Sequence, residues 1–425
     1  MTHAPSPADS WSPSQRPSAP RVLAMGVYPI ARPRYGGPKR SRAVVEALRA
    51  SFRNVAYVAV YPRSGSALAG PADVAVSPDT QDRIARYPYL ADVVCGDAIY
   101  SDPKVKSRIS RFITRFEPNV IVLEQVYPFL GLRPLLKELG LQPALAYNAQ
   151  NVEHEMKSKM YESLASGSAL ALHVLRRIER AEKDLVRESL LVAAVTEQDA
   201  ESLRAMGARK VILAPNGTSP LQPSRRSIQR HQDFLLSRRL RATLVFASSA
   251  HQPNWRGFLD MVGTRVGFIP SDTRVLLCGG VSELARTRVA ERDVENVTFW
   301  QRVIALGQLA DEDLAAALLS AHAVLLPITQ GGGSNLKTAE ALASGRRIVA
   351  TSFAFRGYEQ FATFPGVAIA DSPDAFRGAM LEAITEPAPK RLPSEEERIE
   401  QFYWPARLSP LVEGIADIGR ETHVD

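Results

Sequence analysis

Residues 321–351, AHAVLLPITQGGGSNLKTAEALASGRRIVAT, contain the pattern of a strand, a glycine-rich loop, a helix and a second strand. The apolar run from Ala323 to Leu326 has the length of a buried strand, and Pro327 ends it because proline cannot donate to a β-ladder. Apolar residues then recur at helical spacing as far as Gly345, a residue type typical of the position just beyond a helix C-terminus. The stretch therefore predicts a β-α-β unit within an α/β domain.

The loop of this unit is suited to close contact between a ligand and the main chain. Gly331, Gly332 and Gly333 have no Cβ, so the backbone there can adopt positive φ and a ligand can approach it closely. Ser334 or Asn335 then caps the helix. Because the first N–H groups of a helix are unpaired and its N-terminus is the positive end of a macrodipole, we expect an anion site here.

Two charged residues follow the cap. Lys337 lies in the first helical turn, where the dipole opposes a cation by roughly 0.3–1 kcal/mol, and an anionic ligand such as a phosphate would explain its presence. Glu340 lies about one turn further on, and a carboxylate can accept two hydrogen bonds from a vicinal diol such as a ribose. In the alternative interpretation, Lys337 and Glu340 form an ordinary i, i+3 surface pair and the glycines make a plain turn.

The segment GGGSNLKTAEALASGRRIVAT resembles the retaining glycosyltransferases of family 4, whose two Rossmann-like α/β domains face each other across a cleft in the GT-B fold. The resemblance implies that Glu340 binds the ribose of a nucleotide-sugar donor. Many family members carry a second glutamate that touches the donor sugar, but Gly332 stands at that position here, so this contact does not carry over. The resemblance further implies that the loop and helix start hold the donor diphosphate through Gly332, Gly333, Ser334, Asn335 and Leu336.

A second glycine pair lies near the N-terminus. The predicted strand at residues 21–27 is followed by YPIARPRYGGPKRSR, in which Gly36 and Gly37 precede a predicted helix. This loop lacks the G-x-G-x-x-G fingerprint of dinucleotide-binding folds. In the family that the chain resembles, a Gly-Gly pair here faces the cleft, so Gly36 and Gly37 are candidates for contact with donor or acceptor. A plain turn is the alternative.

The sequence NAQNVEHEM, residues 148–156, follows another predicted strand. The family pattern has a histidine here, followed by asparagine and an acidic residue, and Gln150 stands where that histidine would be. Glutamine can hydrogen-bond a sugar hydroxyl but cannot shuttle a proton. His154 is expected to be an exposed helix residue. The candidate catalytic residues are therefore Lys337 and Gln150, without a general base.

The second domain is expected to begin with a strand at residues 243–247 and the segment SSAHQPNWRGFLDMV. The family's usual arginine after this strand is replaced by Ser-Ser-Ala, and Arg256 is the remaining candidate for contact with the donor diphosphate. Residues 296–299 are predicted to be a strand. The resemblance then implies that Arg302 and Val303, which follow it, lie near the nucleobase.

Composition narrows the class of protein. The 425 residues are 45% hydrophobic and 23% charged, as in ordinary globular domains. The formal charge of +7 suggests anionic partners, among them nucleotide-sugars, lipid phosphates, membrane surfaces and nucleic acid. With two cysteines and no apolar run of roughly 18 residues, we expect a cytoplasmic protein without a metal centre or a cofactor, for which the nucleotide-sugar is a substrate.

Each half of the chain contains one series of alternating strands and helices, which indicates two related domains. We predict a disordered leader at residues 1–20, an N-terminal Rossmann-like acceptor domain at 21–220 and a C-terminal Rossmann-like donor domain at 242–395. Residues 221–241 are predicted to be a linker, since their arginines lack the interleaved aromatic residues of a nucleic-acid site. Residues 396–425 look like the terminal segment that returns to the first domain in the GT-B fold.

Residues 104–116, KVKSRISRFITRF, predict a basic amphipathic helix. Val105, Ile109, Phe112 and Phe116 share one face, and basic residues beginning with Lys104 cover much of the remainder. In one interpretation this is a domain helix with a solvated basic face. In the other, the basic face rests on the anionic inner leaflet of a membrane, where each lysine or arginine contributes about 1 kcal/mol.

These observations predict a metal-independent retaining glycosyltransferase that moves a sugar from a nucleoside diphosphate sugar to a hydroxyl of a glycan or lipid-linked acceptor, in glycan or polysaccharide biosynthesis. Two alternatives remain open. A non-catalytic sugar-nucleotide-binding relative is suggested by Gly332 and Gln150. A nucleotide-sugar epimerase shares the architecture, but the sequence offers no evident acid or base for it.

Overall fold

The computed structural model describes residues 20–33, 36–164, 169–289, 296–330, 336–386, 389 and 393–421. These residues form two compact units. The first unit comprises the described residues up to Ala194, Gln198–Ala214 and those from Leu408 onward, and the second comprises Val195–Glu197 and Pro215–Arg407.

The first unit contains a parallel sheet of seven strands within the described residues, in the spatial order β3-β2-β1-β4-β5-β6-β7. Its central strands are rich in valine, leucine, isoleucine and alanine and are largely buried, as expected of a parallel sheet that is covered on both faces. The strands are β1 (Arg21–Gly26), β2 (Asn54–Tyr61), β3 (Val74–Ala75), β4 (Val120–Leu123), β5 (Ala144–Asn148), β6 (Leu191–Ala194) and β7 (Val211–Leu213).

Helices connect successive strands of this sheet. The glycine pair opens the first of them, so Gly36 and Gly37 are helical residues rather than loop residues. The helices are α1 (Gly36–Ser51), α2 (Pro78–Arg86), α3 (Ala91–Ser101), α4 (Pro103–Phe116), α5 (Tyr127–Leu139), α6 (Glu153–Leu164), α7 (Ala169–Glu188) and α8 (Glu197–Ala205).

The second unit contains a parallel sheet of six strands within the described residues, in the order β10-β9-β8-β11-β12-β13. Its strands are β8 (Ala242–Ala247), β9 (Thr273–Cys278), β10 (Val303–Gly307), β11 (Ala323–Leu326), β12 (Arg347–Ala350) and β13 (Val367–Ile369). The remaining helices are α9 (Arg225–Ser237), α10 (Gln252–Met261), α11 (Val281–Arg288), α12 (Val297–Arg302), α13 (Asp311–Ser320), α14 (Leu336–Ala343), α15 (Pro373–Thr385), α16 (Pro393–Glu400) and α17 (Trp404–Glu421).

Each sheet reverses its strand order at one point. In the first sheet the order reverses between β1 and β4, and in the second between β8 and β11. Open α/β sheets bind ligands at the carboxyl ends of the strands on either side of such a switch point, because the connecting loops diverge there. The two α/β units predicted from the sequence are therefore present, and each has a defined edge for a site.

The predicted strand at residues 296–299 is wrong. The segment NVTFWQR forms α12, and the strand begins only at Val303. Valine, threonine and phenylalanine have high strand propensity, but Phe299 is buried while Val297 is 44% exposed. A segment with one buried residue per turn fits a short helix packed on the sheet better than it fits a strand.

The predicted linker at residues 221–241 instead contains α9 and groups with the second unit. The side chain of Ser224 accepts a hydrogen bond from the Ser227 amide and so caps the helix. The predicted terminal segment at 396–425 is also divided, since residues up to Arg407 group with the second unit and those from Leu408 with the first. The boundary between the units falls inside α17.

Two glycines allow α3 and α5 to pack closely in the first unit. A Cβ on Gly96 would lie 2.0 Å from the carbonyl oxygen of Tyr127, and a Cβ on Gly131 would lie 2.5 Å from the carbonyl oxygen of Gly96. Both conflicts involve backbone, which cannot move away as a flexible side chain can. The two helices therefore require glycine at both positions.

Replacing Gly96 with alanine should destabilise the protein by at least about 3 kcal/mol, because the methyl group would force α3 away from α5. Denaturant unfolding, followed by circular dichroism, measures the change. Gly378→Ala in α15 is the matched control, since a Cβ there meets nothing within 4 Å. Helix propensity should make that variant neutral or more stable by up to about 1 kcal/mol. Equal stability of the two variants would contradict the packing argument.

Candidate functional site

The switch point of the second sheet brings together residues from α10 and α14. α10 follows β8, α14 follows β11, and these two strands are neighbours in the sheet. Lys337 is the second residue of α14, so it lies at this edge. Leu336 is the first residue of α14, and the predicted loop residues Gly332, Gly333, Ser334 and Asn335 lie outside the described residues.

A side chain from α10 holds the Lys337 ammonium. Lys337 Nζ donates to Asn254 Oδ1 at 2.8 Å, and Asn254 is buried. The Asn254 amide nitrogen donates in turn to the carbonyl oxygen and hydroxyl of Ser249, at 3.3 and 3.2 Å. Asn254 therefore connects the loop after β8 with the first turn of α14.

The ammonium is partly withdrawn from water without a salt bridge to any described carboxylate. Burial lowers the pKa of Lys337 to about 8, and the Glu340 carboxylate acts in the opposite direction. Desolvation and then the Lys337 ammonium lower the pKa of His251, which precedes α10. A cation at a helix N-terminus with these properties is stabilised by an anionic ligand.

Close packing fixes the position of α10. A Cβ on Gly257 would lie 2.0 Å from the carbonyl oxygen of Pro327 and 3.4 Å from the Thr329 nitrogen. Because Asn254 and Gly257 are three residues apart and both buried, they share the face of α10 that meets the segment after β11. The glycine therefore lets α10 approach closely enough for Asn254 to reach Lys337.

The structure does not bring Arg256 to this site. Its side chain is 70% exposed and pairs with Asp260 one turn along the same helix, at 2.9 Å. Asn254 is the α10 residue that reaches Lys337, and the sequence interpretation did not identify it. The sequence offered one signal, namely that positions 254 and 257 lie a turn apart whereas position 256 lies on another side of the helix.

Arg302 and Val303 lie at the other end of the sheet. Arg302 is the last residue of α12, and its Nε donates to the Ile269 carbonyl oxygen at 2.9 Å. Val303 opens β10, whose carboxyl end is at Gly307. These residues were expected near the nucleobase because 296–299 was predicted as the strand, and the later strand start moves them to the amino edge.

The first unit brings Gln150 and Gly37 together at its own switch point. Tyr28 donates from its hydroxyl to Gln150 Oε1 at 2.8 Å, and Gln150 Nε2 donates to Ser41 Oγ at 2.9 Å. A Cβ on Gly37 would lie 2.8 Å from the Tyr28 hydroxyl and 3.3 Å from Gln150 Oε1. Gln150 is buried and its amide is oriented by these two hydrogen bonds.

A buried carboxylate lies behind Gln150, and the sequence interpretation did not identify it. Glu124, just after β4, is fully buried, and Asn148 donates to its Oε2 at 3.2 Å. Burial raises the pKa of Glu124 to about 7, although Ser41, Arg40, Asn148 and Gln150 lower it. Arg40 is itself buried and donates to Asn148 Oδ1 at 2.9 Å. A buried ionisable group with a perturbed pKa at a sheet switch point is typical of functional sites.

A second buried carboxylate fixes the start of α6. Glu182 accepts hydrogen bonds from the backbone amides of Glu153 and His154, at 2.9 and 3.0 Å, and contacts His154 Nδ1 at 2.8 Å. This bond raises the pKa of His154. His154 is therefore a partly buried partner of Glu182, not the exposed residue that the sequence suggested.

The described residues contain neither a helix suited to a bilayer nor a cluster suited to a metal ion. No helix combines the length and apolarity required to cross a bilayer. No group of three or more histidine, cysteine, aspartate or glutamate side chains is arranged to hold a metal ion.

Comparison with known proteins gives the class of the second domain. Residues 241–386 match the family model described as Glycosyl transferases group 1. A search of curated protein sequences finds no match.

Three similar solved structures illustrate the fold. Sucrose-phosphate synthase from Thermosynechococcus elongatus is 14% identical, with a TM-score of 0.68 over 95% of this chain and 99% of that one. Trehalose 6-phosphate synthase from Burkholderia multivorans is also 14% identical, with a TM-score of 0.61 over 95% and 99%. HepE from Anabaena, in complex with UDP and glucose, is 13% identical, with a TM-score of 0.63 over 93% and 99%. Residues 241–386 thus form a group 1 glycosyltransferase domain, in a chain whose two parallel-sheet α/β domains match GT-B glycosyltransferases.

Proposed function

We propose that this protein is a retaining glycosyltransferase of family 4 type that transfers a sugar from a nucleoside diphosphate sugar to an acceptor hydroxyl without a metal ion. One observation carries the proposal: the Lys337 ammonium is held by Asn254 at the N-terminus of α14, at the switch point of the group 1 domain. A desolvated cation beside a helix N-terminus suits a phosphate.

In this proposal, catalysis is mainly electrostatic. The bond between the sugar carbon and the diphosphate oxygen breaks, the acceptor hydroxyl oxygen bonds to that carbon, and the hydroxyl proton passes to the released diphosphate. Lys337 and the first N–H groups of α14 stabilise the negative charge that develops on the leaving group. Asn254 keeps the ammonium in place, so little reorganisation is required when the charge forms. Leu336, the first residue of α14, contributes its backbone N–H to the same anion. The family resemblance implies the same role for the glycine loop, which lies outside the described residues.

Glu340 is proposed to bind the ribose of the donor, as the family resemblance implies. It lies one turn beyond Lys337 on α14, so a ligand whose phosphate meets the helix start can place its ribose beside Glu340. HepE, which was solved with UDP and glucose and also with UDP-glucose, supports a nucleotide-sugar as the ligand class. Gln150, Gly36 and Gly37 are proposed to contact a sugar or acceptor hydroxyl in the first domain, with Gln150 acting as a neutral hydrogen-bonding group.

Glu124 favours a second candidate function, that of a nucleotide-sugar epimerase. Such an enzyme requires groups that exchange protons near neutral pH, and the pKa of about 7 gives Glu124 that property. An epimerase converts one nucleotide-sugar into another without an acceptor, whereas a transferase releases the nucleoside diphosphate. Chromatography of the nucleotide products therefore distinguishes the two.

Binding of a nucleotide-sugar is the first test. Among UDP-, GDP-, ADP- and dTDP-sugars, at least one should raise the melting temperature, because a ligand that binds only the folded protein stabilises it. The shift should persist in EDTA. Glu340→Ala should weaken binding of that donor by roughly 10- to 100-fold, as expected for hydrogen bonds to a charged group.

Arg256→Ala is the matched control, since it removes an exposed charge that the structure places on another side of α10. It should leave the donor affinity unchanged. A stabilising donor that is never turned over in a crude acceptor screen would favour the non-catalytic alternative. Absence of stabilisation by every donor would refute the proposal.

The charge of Lys337 gives a prediction for pH. Its ammonium is protonated below a pKa of about 8, so kcat/KM for the donor should be level below that pH and should fall about tenfold per unit above it. Lys337→Arg keeps its charge across this range, so the alkaline fall should disappear even if the activity is lower. The measurement is a pH profile of kcat/KM from 6 to 10 for both proteins. The same fall in both would assign it to another group.

We also propose peripheral contact between α4 and an anionic cytoplasmic membrane surface. The face of α4 opposite its buried residues carries Lys104, Arg108, Arg111 and Arg115, all exposed and outside any salt bridge within the described residues. Lys106 does not belong to this set, because it pairs with Glu138 at 2.6 Å. The buried residues Val105, Ile109 and Ile113 show that the helix also packs on the domain.

The triple variant Arg108→Gln, Arg111→Gln, Arg115→Gln should bind anionic vesicles about 100-fold more weakly than the wild type, at about 1 kcal/mol per charge. Co-sedimentation with phosphatidylglycerol vesicles measures this, and vesicles of phosphatidylcholine alone should bind neither protein. Replacing the exposed Arg176 and Arg180 of α7 serves as a charge control. Wild-type binding that is independent of lipid charge would contradict the proposal.

A further inference from the structure

Two buried hydroxyls at the carboxyl edge of the second sheet have no hydrogen-bond partner within the described residues. They are Ser248 Oγ, directly after β8, and Thr329 Oγ1, three residues after the end of β11. Ser248 is only 7% exposed. Burial of a hydroxyl without a partner destabilises a fold, so a native protein retains one for a reason.

Neither hydroxyl lies on loosely held backbone. The Ser248 amide donates to the Cys278 carbonyl oxygen at 2.8 Å, and its own carbonyl oxygen accepts from the Val281 amide at 3.1 Å. The segment that leads to Thr329 is held by Thr351, whose hydroxyl donates to the Ile328 carbonyl oxygen. The backbone around each hydroxyl is therefore fixed while the hydroxyl itself is unpaired.

Both hydroxyls belong to the neighbourhood of Lys337. The parallel β8–β11 register pairs Leu244 with Ala323 and Val245 with Val324, so both strands end at the same edge of the sheet, with Ser248 one residue past β8 and Thr329 three residues past β11. Ser249, the next residue, is bonded to the Asn254 amide that holds Lys337. Thr329 in turn lies beside Gly257, one turn along α10 from Asn254.

We infer that Ser248 and Thr329 are ligands of the donor diphosphate, each donating its hydroxyl proton to a phosphate oxygen on the side of the anion away from α14. This inference rests on the proposed function and deepens it. The loop after β8 carries no arginine in this chain, so uncharged donors meet the diphosphate from that side. Lys337 is then the principal cation of the site, and the hydroxyls determine which phosphate oxygens face the sheet.

Ser248→Ala and Thr329→Val test the inference. Isothermal titration calorimetry with inorganic pyrophosphate, UDP, GDP, ADP and dTDP should show at least about tenfold weaker binding in each variant, since each loses a hydrogen bond to a charged group. Thr329→Ser, which keeps the hydroxyl, should bind like the wild type. The melting temperature of the ligand-free variants should be unchanged or higher, because each substitution removes an unpaired buried hydroxyl. A purely structural role would lower stability and affinity together.

Thr243→Val is the matched control. Thr243 also has a buried hydroxyl without a described partner, but it lies at the amino end of β8. Its replacement should not change binding, and a loss equal to that of Thr329→Val would overturn the inference. If the wild type binds these probes and both test variants bind them equally well, this inference alone fails. If the wild type binds none of them, it fails together with the proposed function.

Discussion

The hydrogen bond from Lys337 Nζ to Asn254 Oδ1 joins two helices that follow neighbouring strands of the second sheet. It places a cation at the N-terminus of α14, where the helix dipole opposes it. The bond can form only because α10 packs against the segment after β11, which requires a glycine at position 257. The site therefore depends on a backbone contact as much as on its charged residue.

The same contact explains which parts of this site the sequence could predict. The strand and the helix that carries Lys337 follow each other within 31 residues, so local rules were enough to predict them, whereas the predicted glycine loop and cap lie outside the described residues. Asn254 lies 83 residues before Lys337 in the sequence. Its role depends on which face of α10 meets the sheet. Asn254 and Gly257 share that face, whereas Arg256, one residue before Gly257, lies on another side of the helix. Arg256 was a candidate because of its charge, but the packing of α10 leaves its side chain exposed.

The errors in the fold have a similar origin. Residues 296–299 have strand propensity, yet tertiary packing uses them as a short helix and starts the strand at Val303. The polar segment 221–241 resembles a linker by composition, but Ser224 provides the cap that starts α9. The cluster around Glu124 combines residues from α1, from β5 and from the segments after β1, β4 and β5, so no local sequence pattern predicts it. Segments that are distant in the sequence bury these polar residues together, and the sequence alone does not show which segments meet.

The two switch points carry opposite chemistry. At the second sheet, an ammonium, a helix N-terminus and two hydroxyls all favour negative charge. At the first sheet, Glu124 lies behind Asn148 and Gln150, so an incoming phosphate would meet the field of a carboxylate whenever Glu124 is ionised. Arg40 moderates this field, but its guanidinium is already bonded to Asn148 and to the Ala214 carbonyl oxygen. An uncharged hydroxyl meets no such opposition. The electrostatics of each domain thus agree with the proposed function, in which the second domain binds the diphosphate and the first contacts neutral hydroxyl groups.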